Sequence, residues 1–174
     1  VFVIDTCTFN ENEGAFGGAL AARDYGTANI ENSNIANNKG QNGGGIYLEF
    51  GGDALVTNTV IEGNVTEMNY GGGGGIMALT SPTVIEDSVI YGNAALGTNS
   101  VGGGVYFYQG DQENYILNNC LIAGNTTSSR GAGVSCDWYV NAEISNCTIA
   151  DNTSLTGGGI SAAYKSNIDI THSI

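Results

Sequence analysis

The chain repeats itself every 26 to 32 residues, and this period limits what it can fold into. An apolar residue followed three positions later by Asn recurs six times, at Asn12, Asn38, Asn64, Asn93, Asn125 and Asn152. Self-similarity at a period of this length is typical of solenoids, in which each unit buries its apolar side only against its neighbours.

Two further phrases belong to each repeat. A Gly cluster that ends in an aliphatic residue follows each repeat Asn, as in Gly43-Gly44-Gly45-Ile46. A phrase of the form apolar-x-Asn-small-x-apolar precedes each repeat Asn, as in Ile30 to Ile35. Helices are excluded because Gly triplets, Asn and Thr stand where a 3.6-residue period needs helix formers. Short alternating runs such as Ile46 to Glu49 favour strands.

The repeat therefore predicts an all-β fold, a parallel β-helix of about six rungs that occupies residues 1–174 as one segment. With 41% hydrophobic residues the chain can bury enough apolar surface to avoid disorder, and its single Pro excludes collagen. The sequence begins and stops within the repeated phrase, at Ile4 to Phe9 and at Ile170 to Ile174. We interpret it as an uncapped fragment of a larger protein.

The phrase that precedes each repeat Asn predicts a one-residue bend. Asn is the non-Gly residue best tolerated in left-handed backbone geometry, so it suits such a bend. Stacked bends are expected to form a structural Asn ladder of Asn32, Asn58, Asn119 and Asn146, with Thr6, Asp87 and His172 as variants. The small residue after each bend is expected to point inward.

The two phrases F-x-x-N and G-G-A-[ILV] resemble the repeats of chlamydial polymorphic outer-membrane proteins. Phe9-Asn10-Glu11-Asn12 with Gly17-Gly18-Ala19-Leu20 matches both literally, and elsewhere Ile replaces Phe and Gly replaces Ala. The resemblance implies a right-handed parallel β-helix displayed at the cell surface, hence an extracellular location. It implies no activity, because one fold hosts many functions.

Charge and hydropathy exclude two classes of partner. The 17 acidic and 4 basic residues give a net charge of −13, which disfavours nucleic acid and anionic membranes. Gly, Asn, Ser or Thr interrupts every apolar stretch, so no transmembrane segment is predicted. Neighbouring coils of the same protein, or copies of it, are the expected partners.

One strand of each repeat predicts a ligand-binding face. If the aliphatic residue after each Gly cluster points inward, the next residue points outward. An exposed apolar and aromatic face is then expected on the middle rungs, formed by Tyr47, Met77, Leu79, Tyr106 and Tyr108, with Phe50, Trp138, Tyr139 and Tyr164 just beyond. Such a patch is typical of a contact surface for glycan or protein. The alternative is that another domain or a long loop covers it.

The cysteines and acidic residues give no metal motif. Cys7, Cys120, Cys136 and Cys147 lack C-x-x-C spacing and are expected to be buried free thiols, although a bond between Cys120 and Cys147 stays open. Acidic residues follow the first strand of several repeats at Asp24, Glu49, Asp53, Asp111, Glu113 and Asp137. A solvated edge is expected there, with calcium as the alternative and otherwise no cofactor.

Asn-x-Ser/Thr sequons make Asn64, Asn125 and Asn152 candidate glycosylation sites. Asn146, at a predicted bend, is the first residue of a fourth sequon. No catalytic residues are assigned, because the four basic residues lie on separate rungs and the single His is at a bend. The expected function is an adhesin-type extracellular scaffold. The alternatives are a purely structural rod and a polysaccharide lyase or hydrolase.

Overall fold

The computed structural model describes residues 1–50, 53–110 and 114–174. These residues form short strands that stack in four parallel sheets, and they include no helix that could cross a membrane. The first five coils visit the four sheets in the same order and the sixth has strands in three of them, so the chain is a parallel β-solenoid of about six turns, as predicted.

Each sheet stacks equivalent strands from successive coils. Sheet A stacks β1 (Phe2–Asp5), β5 (Ala28–Glu31), β9 (Ala54–Thr57), β13 (Thr83–Glu86), β17 (Asn114–Asn118), β21 (Asn141–Ser145) and β24 (Asn167–Thr171). Sheet B stacks β2 (Thr8–Asn10), β6 (Asn34–Ala36), β10 (Val60–Glu62), β14 (Val89–Tyr91), β18 (Leu121–Ala123) and β22 (Thr148–Ala150). Sheet C stacks β3 (Glu13–Phe16), β7 (Lys39–Asn42), β11 (Val65–Thr66), β15 (Ala94–Ala95) and β19 (Thr126–Thr127). Sheet D stacks β4 (Leu20–Ala22), β8 (Ile46–Glu49), β12 (Ile76–Leu79), β16 (Val105–Tyr108), β20 (Val134–Asp137) and β23 (Ile160–Ala163).

The core consists of columns of equivalent residues from successive coils. Ile35, Ile61 and Ile90 pair in register across sheet B, and all three are fully buried. The aliphatic residue after each Gly cluster forms a second column, in which Ile46 and Ile76 are also fully buried. The repeat therefore places like side chains on top of each other, and their burial supplies the main stabilisation.

The left-handed bends between sheets A and B are confirmed. The backbone φ lies between 46° and 56° at Thr6, Asn32, Asn58, Asp87, Asn119, Asn146 and His172. The ladder expected there is exposed and interrupted: Asn58 donates to Asn32 at 2.6 Å, whereas Asn146 donates to Asn118, which is not a bend residue. The ladder expected at the bends is therefore present only in part: Asn119 also donates to the bend residue Asp87 at 2.7 Å, whereas Asn32 donates to Asp5, which is not at a bend.

The continuous ladder is formed by the repeat Asn residues. The backbone N–H and the side-chain Nδ2 of Asn38 both donate to Oδ1 of Asn64 at 2.9 Å, and Nδ2 of Asn38 also donates to the Phe9 carbonyl at 3.0 Å. The same three bonds recur with Asn64 and Asn93 as donors. Each buried amide is thus satisfied by the coils on both sides, which fixes their register.

This ladder includes two of the predicted glycosylation sites, Asn64 and Asn125, and disfavours a glycan on either of them. Both side chains are fully buried, and each Nδ2 donates to an amide oxygen and to a backbone carbonyl. Asn152 is partly exposed, but its Nδ2 donates to the Ile122 carbonyl at 2.9 Å. A glycan on these nitrogens would break the bonds that join the coils.

The small residue after each bend forms a second polar column. Ser33 and Thr59 are buried, and each hydroxyl donates to the carbonyl two residues before it. Each also accepts the N–H of the equivalent residue in the preceding coil, as Ser33 does from Cys7 at 3.1 Å. Hydroxyl chemistry, and not small size alone, is therefore used at this position.

Cysteine replaces the hydroxyl in this column at three places. All four thiols are free: Cys120, Cys136 and Cys147 are buried as predicted, and Cys7 is exposed. Burial was the wrong expectation for Cys7, because its coil contacts only one neighbouring coil here. A hydrogen bond with Cys147, together with burial, raises the pKa of the Cys120 thiol, so it stays protonated at neutral pH.

Candidate functional site

The residues predicted to form the binding face lie together on the outer side of sheet D. Tyr47, Met77 and Tyr106 pair in register along one row, and Leu79 and Tyr108 pair along the next. Their predicted exposure is wrong for three of them, because Tyr47, Met77 and Tyr106 are only 2%, 7% and 6% exposed. Leu79 and Tyr108 are partly buried.

The long segments between sheets C and D cover this row. Nine positions separate Asn64 from Gly73, whereas five separate Asn38 from Gly43, so the third coil has extra chain before its corner. Val101, from the equivalent segment of the fourth coil, packs with Met77 and Tyr106 in one buried cluster. A Cβ on Gly72 would lie 2.3 Å from the Tyr106 ring, so the covering backbone touches the aromatic directly.

Beside this covered row lies an open groove of about 440 Å³, here called the aromatic groove. Its walls and floor comprise Tyr70, Met77, Asn99, Val101, Tyr106, Tyr108, Ser129, Arg130, Asp137, Trp138 and Tyr164. Several coils contribute, so the groove runs across the stacked strands. It combines Met77, Tyr106 and Tyr108 of the predicted face with residues from the later coils.

An exposed aromatic stack forms one side of the aromatic groove. Trp138 and Tyr164 stack with their ring centroids 4.7 Å apart and their planes at 16°. They are 42% and 54% exposed, and both have left-handed backbone (φ 64° and 52°) at the corner between sheets D and A. The solenoid repeats this corner in each coil, so the two rings lie above one another.

A partly buried ion pair also lines the aromatic groove, with the guanidinium carbon of Arg130 5.7 Å from the Tyr164 ring centroid. Nη2 of Arg130 donates to Oδ2 of Asp137 at 2.6 Å, and the Tyr106 hydroxyl donates to the same oxygen at 3.2 Å. The Asp137 side chain is 1% exposed and that of Arg130 is 27% exposed. Burial and the charge of Asp137 raise the pKa of Tyr106, which keeps its hydroxyl protonated as a donor.

Two polar atoms of this ion pair have no hydrogen-bond partner within the described ranges. They are Oδ1 of Asp137 and Nε of Arg130, and both are buried. One is an acceptor and the other a donor, on residues that both line the aromatic groove. Unsatisfied buried groups are costly, so such a pair is typical of a site that a further group completes.

A similar cluster lies on the first two coils. Nε of Arg23 donates to Oε2 of Glu49, and the guanidinium lies 4.7 Å from the centroid of the Phe16 ring. Burial, the charge of Glu49 and a hydrogen bond to Glu49 raise the pKa of Tyr47, which here takes the place of Tyr106. Sheet D therefore has an arginine, a carboxylate and a tyrosine grouped at two separate places.

The acidic edge predicted from the sequence is only partly found. Glu49 and Asp137 are buried ion-pair partners, so the expectation that they are solvated is wrong for these two. Asp24 and Asp53 are exposed, and Asp111 and Glu113 lie outside the described residues. Within the described ranges, no three His, Cys, Asp or Glu side chains converge as metal ligands would. Calcium binding stays a prediction.

Apart from Arg130, no basic residue in the described part of the chain lines the aromatic groove. Nζ of Lys39 lies 2.8 Å from a carboxylate oxygen of Glu67, and Nζ of Lys165 lies 5.4 Å from the centroid of the Tyr139 ring. His172 is at its bend and exposed. The structure therefore leaves the basic residues on separate coils.

The chain matches no protein-family model, no curated protein and no solved structure. The sequence did not predict that Arg130 pairs with Asp137, or that Tyr70 and Asn99 line the aromatic groove. The longer spacing between the repeat Asn and the Gly corner in the third and fourth coils was the available signal, because it predicts extra chain beside sheet D.

Proposed function

We propose that this chain is part of an extracellular β-solenoid scaffold that binds a glycan in the aromatic groove, as an adhesin-type segment of a cell-surface protein. The observation that carries the proposal is the exposed stack of Trp138 and Tyr164 beside polar wall groups. Its location at the cell surface rests on the resemblance of the repeat to polymorphic outer-membrane proteins.

Aromatic rings suit a sugar because they offer a flat apolar face to its C–H groups. Here the rings are fixed by the stacked coils: Trp138 N–H bonds to the Ala163 carbonyl, and Tyr139 N–H bonds to that of Tyr164. A site held in this way loses little conformational entropy on binding. The proposal assigns binding and not catalysis, because the basic residues are dispersed and three of the four are in ion pairs.

The test is a glycan-array scan of the purified chain, with and without calcium. Wild-type protein should bind a glycan, and Trp138→Ala should abolish that binding while leaving the melting temperature nearly unchanged. Tyr139→Ala is the matched control, because Tyr139 is 47% exposed at the same corner but does not line the aromatic groove. Silence of the folded wild type on all glycans would overturn the proposal.

A structural rod is the second candidate. In the described structure β1 and β24 each pair with one neighbouring strand, and Phe2 and Ile170 on them are 51% and 52% exposed. Unpaired strand edges favour addition of further strands. Sedimentation velocity at increasing concentration tests this: a rod-forming chain should grow into end-to-end multimers, and a constant monomer would argue against assembly.

A further inference from the structure

We infer that Asn146 is the acceptor of an N-linked glycan, and that the sequons beginning at Asn64, Asn125 and Asn152 stay unmodified in the folded protein. This inference rests on the extracellular location in the proposed function and adds a modification site to it. The glycan donor is an oligosaccharide linked through pyrophosphate to a polyprenyl carrier. N-linked glycans are bulky and require an exposed position on the protein surface.

The Asn146 amide lies at such a position. Asn146 forms the left-handed bend (φ 55°) between β21 and β22, and it is exposed. The equivalent bends of the two neighbouring coils, at Asn119 and His172, are exposed as well. The bend therefore presents its amide to solvent at an outer corner of the solenoid.

The hydrogens of each amide separate this sequon from the buried ones. Nδ2 of Asn146 donates to Oδ1 of Asn118 at 3.0 Å, and a nitrogen that carries a glycan keeps one N–H, so this bond can persist. Nδ2 of Asn64 uses both hydrogens, because it donates to the Ile35 carbonyl at 2.8 Å and to Oδ1 of Asn93 at 3.0 Å. A glycan on Asn64 would remove one of these buried bonds.

The hydroxyl residue of each sequon gives the same ranking. Thr148, two residues after Asn146, is exposed. Thr66 and Thr127, which complete the sequons of Asn64 and Asn125, are buried, and the Thr127 hydroxyl donates to a backbone carbonyl at 2.6 Å. Amide and hydroxyl are therefore both accessible in the sequon of Asn146 and both buried in these two.

Asn152 is partly buried, and its amide is held on both sides. Its Oδ1 accepts the backbone N–H and Nδ2 of Asn125, both at 3.0 Å, and its Nδ2 donates to the Ile122 carbonyl at 2.9 Å. Turning the Asn152 amide outward to accommodate a glycan would break all three bonds. The ladder therefore disfavours modification of Asn152 as well.

The transfer reaction forms one bond and breaks another. Nδ2 of Asn146 bonds to C1 of the first sugar, the bond between that C1 and the carrier pyrophosphate breaks, and the carrier pyrophosphate and one amide proton leave. A chain modified at Asn64 or Asn125 could not complete its buried ladder, whereas a chain modified at Asn146 keeps every ladder bond.

The experiment secretes the chain from a eukaryotic cell line and measures the intact mass of the folded product. Release of the glycan by a peptide amidase in heavy-oxygen water converts the modified Asn to labelled Asp, which fragmentation mass spectrometry locates. We expect one glycan per chain and the label at position 146 alone. Folded wild type without a glycan, or a label at position 64, 125 or 152, would overturn the inference.

Two variants should each abolish the glycan. Asn146→Gly removes the amide but tolerates the left-handed bend, and Thr148→Val removes only the sequon hydroxyl. Ser154→Ala is the matched control, because it removes the sequon of Asn152 and should leave the glycan in place. Asn119→Gly makes the same change at a bend without a sequon, and it should also leave the glycan unchanged. A glycan that persists on folded Asn146→Gly would contradict the assignment.

The inference and the proposed glycan binding can fail separately. Asn146 does not line the aromatic groove, and the whole of β21 separates its bend from the corner that holds Trp138. Asn146→Gly should therefore give the same glycan-array result as wild type. Array silence with position 146 modified would overturn only the proposed binding, and array binding by a wild type that carries no N-linked glycan would overturn only the inference.

Discussion

The two clusters on the outer side of sheet D each contain an arginine, a carboxylate and a tyrosine. They differ in whether all the buried polar atoms of the ion pair have hydrogen-bond partners. In the first, Arg23 donates from Nε, its guanidinium lies over Phe16, and no atom of the pair is left buried without a partner in the described part of the chain. In the second, Arg130 donates from Nη2, and both Nε and the second oxygen of Asp137 stay unsatisfied.

The depth of each carboxylate accounts for part of this difference. The Glu49 side chain is 9% exposed beside an arginine that is 43% exposed, so solvent reaches the pair. Asp137 is one methylene shorter, and its side chain is only 1% exposed. The comparison shows that the first cluster is satisfied within the fold, whereas the second keeps two buried polar atoms without partners in the described residues.

Removing the carboxylate should produce the largest difference in stability between the two clusters. Asp137→Ala leaves Arg130 without its partner in a mostly buried position, and it should lower the free energy of unfolding by about 3 kcal/mol. Glu49→Ala should cost clearly less, because Arg23 remains hydrated. Urea denaturation followed by circular dichroism measures both. Equal losses would show that the two clusters are energetically alike.

Alkaline pH should affect both clusters. Burial raises the pKa of Tyr47 and of Tyr106 in the folded state, whereas the unfolded chain ionises near the ordinary value of about 10. The folded state then retains protons that the unfolded state loses, so stability is complete below about pH 10 and falls as the pH rises. At pH 11 each tyrosine should cost about 1.4 kcal/mol.

Urea denaturation from pH 8 to pH 11 checks this dependence. Tyr47→Phe and Tyr106→Phe should each remove its own share of the alkaline loss, and the double variant should remove both. An unchanged slope in the double variant would mean that other groups cause the loss.

At neutral pH the two hydroxyls should differ modestly. Tyr106→Phe removes a donor to the buried oxygen of Asp137 and should cost about 1 kcal/mol. Tyr47→Phe should cost less, because Glu49 keeps more contact with solvent than Asp137 does. Thermal melts at pH 7 provide the measurement, and a larger loss for Tyr47→Phe would reverse the proposed ranking.

The smallest effect on stability should come from the exposed rings. Trp138→Ala removes an exposed stacking contact and should cost less than about 1 kcal/mol. Phe16→Ala, which removes the ring beneath Arg23, should have a similarly small effect. The two should differ in their effect on the proposed glycan binding, which Trp138→Ala should abolish and Phe16→Ala should leave unchanged. Loss of binding in both variants would place the ligand on the first cluster as well.

Much of the fold could be predicted because the same residue pattern, and therefore the same local structure, recurs six times along the chain. Asn58 and Asn119 were recognised as left-handed bends, since few residues tolerate that backbone, and Ile61 was recognised as core from its recurrence. The site was predicted less well. Tyr47 and Tyr106 were placed on the correct row, but their burial depends on chain from the preceding segments of the coils.

The buried Asn ladder shows the same limit. Asn32 and Asn64 both recur at the period of the repeat, so periodicity alone gives no reason to choose between them as ladder residues. Only the packed coils show that Asn64 faces inward and bonds to both neighbours, whereas Asn32 faces solvent.

The sequence by itself determined the solenoid, its period, the positions of its corners and the in-register stacking of like residues, because these follow from local backbone preferences repeated at a fixed spacing. Only the tertiary structure decided which outward side chains are covered. It also decided that Arg130 forms an ion pair with Asp137 beside the aromatic groove. Covering segments and ion pairs depend on which non-repeated residues come close together in the folded chain, and the repeat pattern does not specify those contacts.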